Sequence, residues 1–548
     1  MATVQYRRSP MPPTDGCVVV TGGGSFVGHH VVTQLLEGGH VVHVVLARSC
    51  KHDPGSTIDA APTPCRRRRA RLRGALETLA RELPGVLRVF GGPGSLGDAA
   101  KGCTGLIHAT PSGSQTATLG DWGAVAAIRA VVRTAADAGV RAVVVASSVA
   151  SVAPTRAKLA ARGGAAAVYG ADDTNDVARE GYGTYSFMRV AEDSAAFDEA
   201  ARSSRRLSGS STESRAGSGN DSDTPGGSAR ATSSTSSTSS TSSTPDAGKT
   251  GSASADTAIR LATVHVPWAV GPVQFAGVAG SGAASLKALL RQEVPFLLPL
   301  HLTLVDVRDV ARALIHVLAH DRGQGRYVVA TGDPQSALTF KQMSGILKNI
   351  SPSLPIPSVV LPVWALEAAH TTATALRLPS PVDAWTIDTA RRAAATGKGP
   401  RFDGSRLATE LNFTYAHADV RQSLADAALS MMTHGIADGR VHWCRPVRVA
   451  AMASGGAGGL LIVAVLLVLW RLCGGKGGSG GARKGAAGKR GRAKAGAGAG
   501  GNAGKAGKAV GATRKAVVKG KAVGKAQGGG GGRGPRGGSG GNKKPKQS

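Results

Sequence analysis

Aromatic residues make up only 4% of this 548-residue chain, which also holds 77 glycines, a composition unlike a uniform globular protein. Acidic residues are scarce too, 35 against 66 lysines and arginines, so the formal charge is +31. The scarcity is local. Residues 474–548 contain no Asp or Glu, but 19 Lys or Arg and 28 Gly. Setting that tail's 19 charges aside leaves +12 for residues 1–473. A basic excess concentrated mostly at one end excludes reading the whole protein as a nucleic-acid binder. The tail also lacks the interleaved aromatics that stack on bases. Its expected partner is a nonspecific anionic one, lipid headgroup or RNA, held by charge alone.

Cysteine is sparse. The six are Cys17, Cys50, Cys65, Cys103, Cys444 and Cys473, none in Cys-x-x-Cys spacing and none beside a His cluster. No sequence-local metal site follows, and free thiols in a reducing compartment are expected. The first 16 residues lack the apolar run of a secretory signal. Long apolar runs are absent except for Val449–Trp470, 22 uncharged residues whose second half is strongly apolar. That length suits one membrane crossing at ~1.5 Å per residue, with Trp470 and Arg471 as the interfacial anchor. The expected localisation is a single-pass membrane protein of the endoplasmic reticulum, its main domain cytosolic. A cytosolic domain with a single crossing puts the cationic tail across the bilayer, against the positive-inside tendency, so a lumenal tail, an inverted orientation and a non-spanning interfacial segment all stay open.

Between these ends the pattern alternates. Cys17–Thr21, Val41–Leu46, Leu87–Phe90, Gly105–His108 and Ala142–Ala146 read as buried strands. Gln34–Glu37, Asp121–Ala138 and Tyr185–Ala201 read as helical. Arg66–Arg69, with Arg71 and Arg73, reads as a basic surface loop. Alternation of this kind predicts a parallel sheet with right-handed crossovers. Residues 201–257 break it, because 28 of these 57 are Ser or Thr and few apolar side chains remain to offset ordering entropy. A disordered insertion is expected there. Strands at Ile259–Val266 and Gly325–Ala330 and helices at Val307–Leu318, Thr339–Lys348, Ser405–Asn412 and Val420–Met432 resume the pattern. The predicted fold is α/β. It has a Rossmann-type doubly wound sheet over 17–200, completed with a smaller substrate domain over 258–435. A transmembrane helix at 449–470 and a disordered tail at 474–548 follow.

The stretch Cys17-Val-Val-Val-Thr21-Gly22-Gly23-Gly24-Ser25-Phe26-Val27-Gly28 carries the chemistry. A buried strand enters a Gly-rich turn and then a helix. Gly22 suits the tight turn and Gly28 the close helix–strand approach, and the backbone N–H groups between them can face a pyrophosphate. This stretch resembles the first motif, T-G-x-x-G-x-x-G, of the extended short-chain dehydrogenase/reductase superfamily (the NAD-dependent epimerase/dehydratase type). The nearest likeness is to its 3β-hydroxysteroid dehydrogenase and dihydroflavonol-reductase-like branch. Thr21, Gly22 and Gly28 match; the middle glycine is replaced by Ser25, next to Gly24. Further matches follow in family order. Leu106-Ile-His108-Ala109-Thr110 resembles the strand and turn beside the nicotinamide ribose. Ala138-Gly-Val-Arg-Ala-Val-Val-Val-Ala-Ser147-Ser148 resembles the strand ending in the catalytic serine, here Ser148. Tyr185-Ser-Phe-Met-Arg189-Val-Ala-Glu192 resembles Y-x-x-x-K followed by A-E, with Arg189 where the family has lysine.

The resemblance implies a proton-exchanging Tyr185, a cation at Arg189 and a substrate-oxygen donor at Ser148. The four-residue spacing of Tyr185 and Arg189 puts both on one helix face. A cation there lowers a phenol pKa from about 10 and holds the nicotinamide ribose. Arg is permanently charged, but its planar fork places donors differently from an ammonium. Strand two ends Val45-Leu-Ala-Arg48 with no acid for a ribose hydroxyl, and Arg48 favours the 2′-phosphate of NADP over NAD. The implied function is an oxidoreductase using NAD(P) on the hydroxyl or ketone of a sterol or other hydrophobic substrate drawn from membrane lipid, with no metal. Two alternatives stay open. One is a reductase or epimerase acting on a flavonoid-type ketone, an aldehyde or a nucleotide sugar. The other is a nucleotide-binding scaffold with weakened catalysis, for which Ser25 and Arg189 are the motivation. The sequence leaves the oligomeric state open.

Overall fold

A computed structural model of the chain describes residues 16–46, 64–91, 94–109, 123–153, 168–175, 184–209, 258–275, 281–293, 296–375 and 384–437. Strand β1 (Cys17–Thr21) feeds helix α1 (Phe26–Glu37), which returns to β2 (Val41–Val45). Helix α2 (Pro64–Glu82) leads to β3 (Val86–Phe90), and α3 (Ser95–Ala100) to β4 (Cys103–His108). Helix α4 (Gly123–Asp137) leads to β5 (Ala142–Ser148). After the short β6 (Val168–Tyr169), the long helix α5 (Thr184–Gly209) precedes β7 (Arg260–Val266) in chain order.

Beyond β7 come β8 (Trp268–Val270), α6 (Ser281–Leu290) and β9 (His301–Asp306). Next are α7 (Val307–Ala319), β10 (Gly325–Val328), β11 (Ala337–Thr339) and α8 (Phe340–Ile350). The described elements end with α9 (Val363–Ala375), α10 (Ala384–Thr396), β12 (Arg401–Phe402), α11 (Ser405–Leu411) and α12 (Val420–Thr433).

Seven strands form one sheet in the order β10-β7-β5-β4-β1-β2-β3, and every neighbouring pair is parallel. The valine-rich, nearly unbroken apolar strands explain this, because a parallel sheet is covered on both faces. Val18 and Val20 of β1 face Val31 and Leu35 of α1 and Val310 and Leu314 of α7. Val19 faces the other way, into a cluster with Leu106, Val132 of α4 and Met188 and Ala196 of α5. The chain runs outward from β1 to β3, then restarts at β4 beside β1. That reversal opens a crevice at the C-terminal ends of β1 and β4, where doubly wound sheets take their ligands. A smaller sheet, β11-β9-β8, belongs to the second part of the chain.

The structure corrects several expectations. Arg66–Arg69, Arg71 and Arg73 lie in α2, not in a loop. Leu72, Leu76 and Leu79, spaced four and three apart, give that helix an apolar stripe. Helix α5 continues past residue 201 to Gly209. Its Glu199 is fully buried and accepts from Arg133 at 2.9 Å, with Arg206 at 3.6 Å on the same helix. Residues 210–257 lie outside the described residues.

Cys17 and Cys103 are not free thiols but a disulfide. Pairing of β1 with β4 brings their Cα atoms to 4.3 Å across 86 residues of sequence, a relation no local spacing reveals. The single-pass membrane placement is also corrected. Among the described residues no helix is long and apolar enough to cross a membrane. The segment 449–470 that suggested one, and the tail 474–548, lie outside them.

Candidate active site

The Gly-rich turn closes as its sequence predicts. Gly22 has φ +75°, in the left-handed region that glycine tolerates. Its carbonyl accepts from Ser25 N at 2.8 Å. A Cβ on Gly28 would overlap that same carbonyl oxygen, so glycine there is a packing requirement. Gly24 sits against Leu72 of α2, which brings α2 up to the turn. Phe26 is buried, edge-on to His30 at 5.7 Å, and Val27 packs at the rim of the core.

Ser25 does more than replace a glycine. It is the N-cap of α1: its Oγ accepts from Gly28 N at 2.9 Å and donates to the Ala109 carbonyl at 2.7 Å. The turn after β1 is thereby tied to the end of β4. Two further bonds repeat the tie. Ala109 N donates to Thr21 O at 3.0 Å, and Thr21 Oγ1 meets His108 Nδ1 at 2.7 Å. Thr21, Ser25, His108 and Ala109 therefore line one crevice at the switch point. Thr110 and Arg48 lie outside the described residues.

Ser148 ends β5, one strand further along, and is half-buried. Its Oγ accepts from Ala150 N at 3.2 Å, capping a short 3-10 turn, Val149–Ser151. Its carbonyl is held from below by Ser151 Oγ at 2.9 Å, and Ser151 in turn meets His265 Nδ1 of β7 at 2.9 Å. His265 also lies 3.7 Å from the buried carboxylate of Asp193 on α5. Burial above all, opposed by Asp193, lowers the His265 pKa. Ser151, His265 and Asp193 thus link the Ser148 turn to α5. No sequence spacing relates them, and the sequence reading missed all three.

Tyr185 lies in the first turn of α5; its side chain is outside the described residues. Arg189, one turn on, is buried, and its NH1 donates to Glu192 Oε2 at 3.0 Å. Arg189 faces the crevice electrostatically. Burial first, then the Arg189 charge, push the His108 imidazole down to about 4, so His108 is neutral at physiological pH.

The structure thus brings Thr21, Gly22, Ser25, Gly28, His108, Ala109 and Ser148 to the C-terminal ends of three adjacent strands. The charge of Arg189 is felt among them. The class these features define is a Rossmann-type α/β protein with a glycine turn at the switch point of its parallel sheet.

No protein-family model and no curated protein sequence matches the chain. Solved structures do match in outline. Vestitone reductase from alfalfa is 15% identical, with 77% of this chain and 99% of that one covered and a TM-score of 0.43. A nucleoside-diphosphate-sugar epimerase from Pseudomonas aeruginosa is 15% identical over the same shares, with a TM-score of 0.47. The yeast methylglyoxal/isovaleraldehyde reductase complexed with NADPH is also 15% identical over the same shares, with a TM-score of 0.47.

Proposed function

We propose that the chain is an NAD(P)-dependent oxidoreductase that interconverts a hydroxyl and a carbonyl on a hydrophobic, sterol-like small molecule. The observation that supports it is the meeting of the Gly22–Gly28 turn, His108–Ala109 and Ser148 at the switch point of the sheet. The turn fits a dinucleotide: it has the positive-φ Gly22, a Cβ-free Gly28 against it, and the N-terminus of α1 above it. Bound there, the nicotinamide supplies or accepts the hydride.

The remaining work falls to the chain's own residues. Ser148 donates to the substrate oxygen, and Tyr185 exchanges a proton with it. Arg189 holds the ribose edge of the site and favours the tyrosinate over the phenol. Arg48 is assigned the 2′-phosphate, which favours NADP. Thr21 fixes the neutral His108 ring against the end of β1. The sterol-like substrate rests on the sequence resemblance to the 3β-hydroxysteroid dehydrogenase branch.

The test is titration of the purified full chain with NADPH and NADH, reading nicotinamide fluorescence and thermal stability. Enhancement or stabilisation by either is expected, and silence to both removes the oxidoreductase reading. A second reading is a nucleotide-binding protein with weakened catalysis. It is favoured by the Ser25 bond to Gly28 N and the Arg189 bond to Glu192, which engage two groups the reaction uses. Tyr185→Phe separates the two readings. Loss of turnover with cofactor binding kept supports the enzyme; no turnover in the parent protein on sterols, flavonoid ketones, aldehydes or nucleotide sugars supports the binder.

A further inference from the structure

Cys17, His43 and Cys103 gather in the core near the N-terminal ends of β1 and β4, away from the crevice. One donor atom from each lies within 4.8 Å of the others. Cys17 is 8% exposed, His43 4% and Cys103 4%. The gathering depends on an irregularity in the sheet. Between Cys17 and Val18 the β1–β4 register shifts, so that Cys17 faces Cys103 while Val18 faces Gly105. Thr104 is the extra residue, and Cys103 enters the same apolar cluster as Cys17. Bulges of this kind re-aim side chains.

His43 supplies a second, independent observation. Its Nδ1 lies 2.7 Å from the Ala99 carbonyl at the end of α3 and 3.3 Å from Cys103 Sγ. Nδ1 is thus the nitrogen turned toward Cys103, and a cation there would take the place of its carbonyl contact. Nε2, at the opposite corner of the ring, is buried and has no hydrogen-bond partner among the described residues.

We propose that in the reduced protein Cys17, Cys103 and His43 bind a thiophilic d10 cation, Zn2+ or Cu+. Two thiolates and an imidazole are the donor class such ions select. The disulfide is the oxidised form of the same site. A dithiol or phosphine reductant supplies two electrons, the S–S bond breaks, and two solvent protons complete the thiols. Cation binding then forms two metal–sulfur bonds and one metal–nitrogen bond and releases those two protons. Among the described residues no fourth Cys, His, Asp or Glu joins the group. Three-coordinate Cu+ needs none, whereas Zn2+ takes a water as its fourth ligand. The bound cation would cross-link β1, β2 and β4, two of which carry the crevice at their other ends.

The experiment uses the full chain with Cys50, Cys65, Cys444 and Cys473 changed to Ser, leaving only the buried pair. The protein is reduced anaerobically with a phosphine, loaded separately with Zn2+ or Cu+, and desalted. One equivalent of one of these cations per chain is expected, with a rise in Tm. Co2+ should give a thiolate charge-transfer band. None of these should occur in the oxidised protein. His43→Gln, the gentler change, should lower retention, and Cys103→Ser should remove it. Reduced protein that retains neither cation leaves the pair a disulfide only and overturns the proposal. Equal retention after His43→Gln also overturns it, whether or not Cys103→Ser folds.

Discussion

Arg189 donates to the carboxylate of Glu192 at 3.0 Å, and each side chain is about one-tenth exposed, 9% for both. The cation that the proposed function pairs with Tyr185 therefore shares its charge with an acid one turn further along α5. A guanidinium spans that pair with a fixed fork, whereas an ammonium is compact and rotates freely. Arg189→Lys is expected to preserve or raise kcat, because the smaller cation can serve Tyr185 without leaving Glu192. Steady-state turnover across pH checks it. Abolished turnover would give Arg189 a role that lysine cannot fill.

Ser25 occupies a backbone donor that a pyrophosphate can use. Its Oγ takes Gly28 N at 2.9 Å, in the first turn of α1. Ser25→Gly releases that N–H and lets the backbone approach the ligand, while a glycine N-cap costs only a few tenths of a kcal/mol. The expected result is a lower Kd for NADPH with a nearly unchanged Tm. Fluorescence titration decides it, and a Kd that stays the same or rises would show that the serine cap supports the bound cofactor.

The part of the site built from contiguous residues was legible in the sequence. Strand, turn and helix over Cys17–Gly28 are local, and the glycines mark the turn chemically. The resemblance put Ser148 at the end of its strand, and β5 ends there. The pieces set by register were not. Cys17 meets Cys103 through a bulge, and His265 reaches Ser151 and Asp193 only when β7 pairs with β5 and α5 packs above. Helix α2 was missed for a different reason. Its arginines masked the stripe of Leu72, Leu76 and Leu79, which was present at helical spacing. Helices α9 and α10 are Ala- and Thr-rich, with weak apolar periodicity to announce them.

Three buried histidines make stability depend on pH. Burial, with His30 nearby, lowers His29 to about 3; burial lowers His30 to about 4; burial and Arg189 lower His108 to about 4. All three start from 6.5, so the unfolded chain binds more protons than the folded one below that pH. Stability therefore rises with pH from about 4 to about 6.5. Glu37 opposes this, because burial raises it to about 7 and its proton is retained longer in the folded state. Three groups outweigh one, so Tm should climb as pH is raised through that window. His30→Gln should flatten the climb. A Tm that falls over the same interval would mean that a raised carboxyl such as Glu37 dominates.

Under the proposed function, cofactor choice turns on the arginines that follow β2 in sequence. The strand runs through Val45 with no acid after it, and Arg48 follows. Leu72 of α2 packs against Gly24, so Arg71 and Arg73 flank a residue that touches the phosphate turn. Arg73 is exposed and pairs with Glu77 at 2.7 Å, so it is already partly engaged. Arg48 is then the better candidate for a 2′-phosphate. Losing one charge-assisted contact of ~1.5 kcal/mol raises a Kd about tenfold. Arg48→Ala should therefore weaken NADPH about tenfold and leave NADH nearly unchanged, and raising the salt concentration should narrow the difference in the parent protein. Equal weakening of both cofactors would place Arg48 elsewhere in the site and remove the preference for NADP.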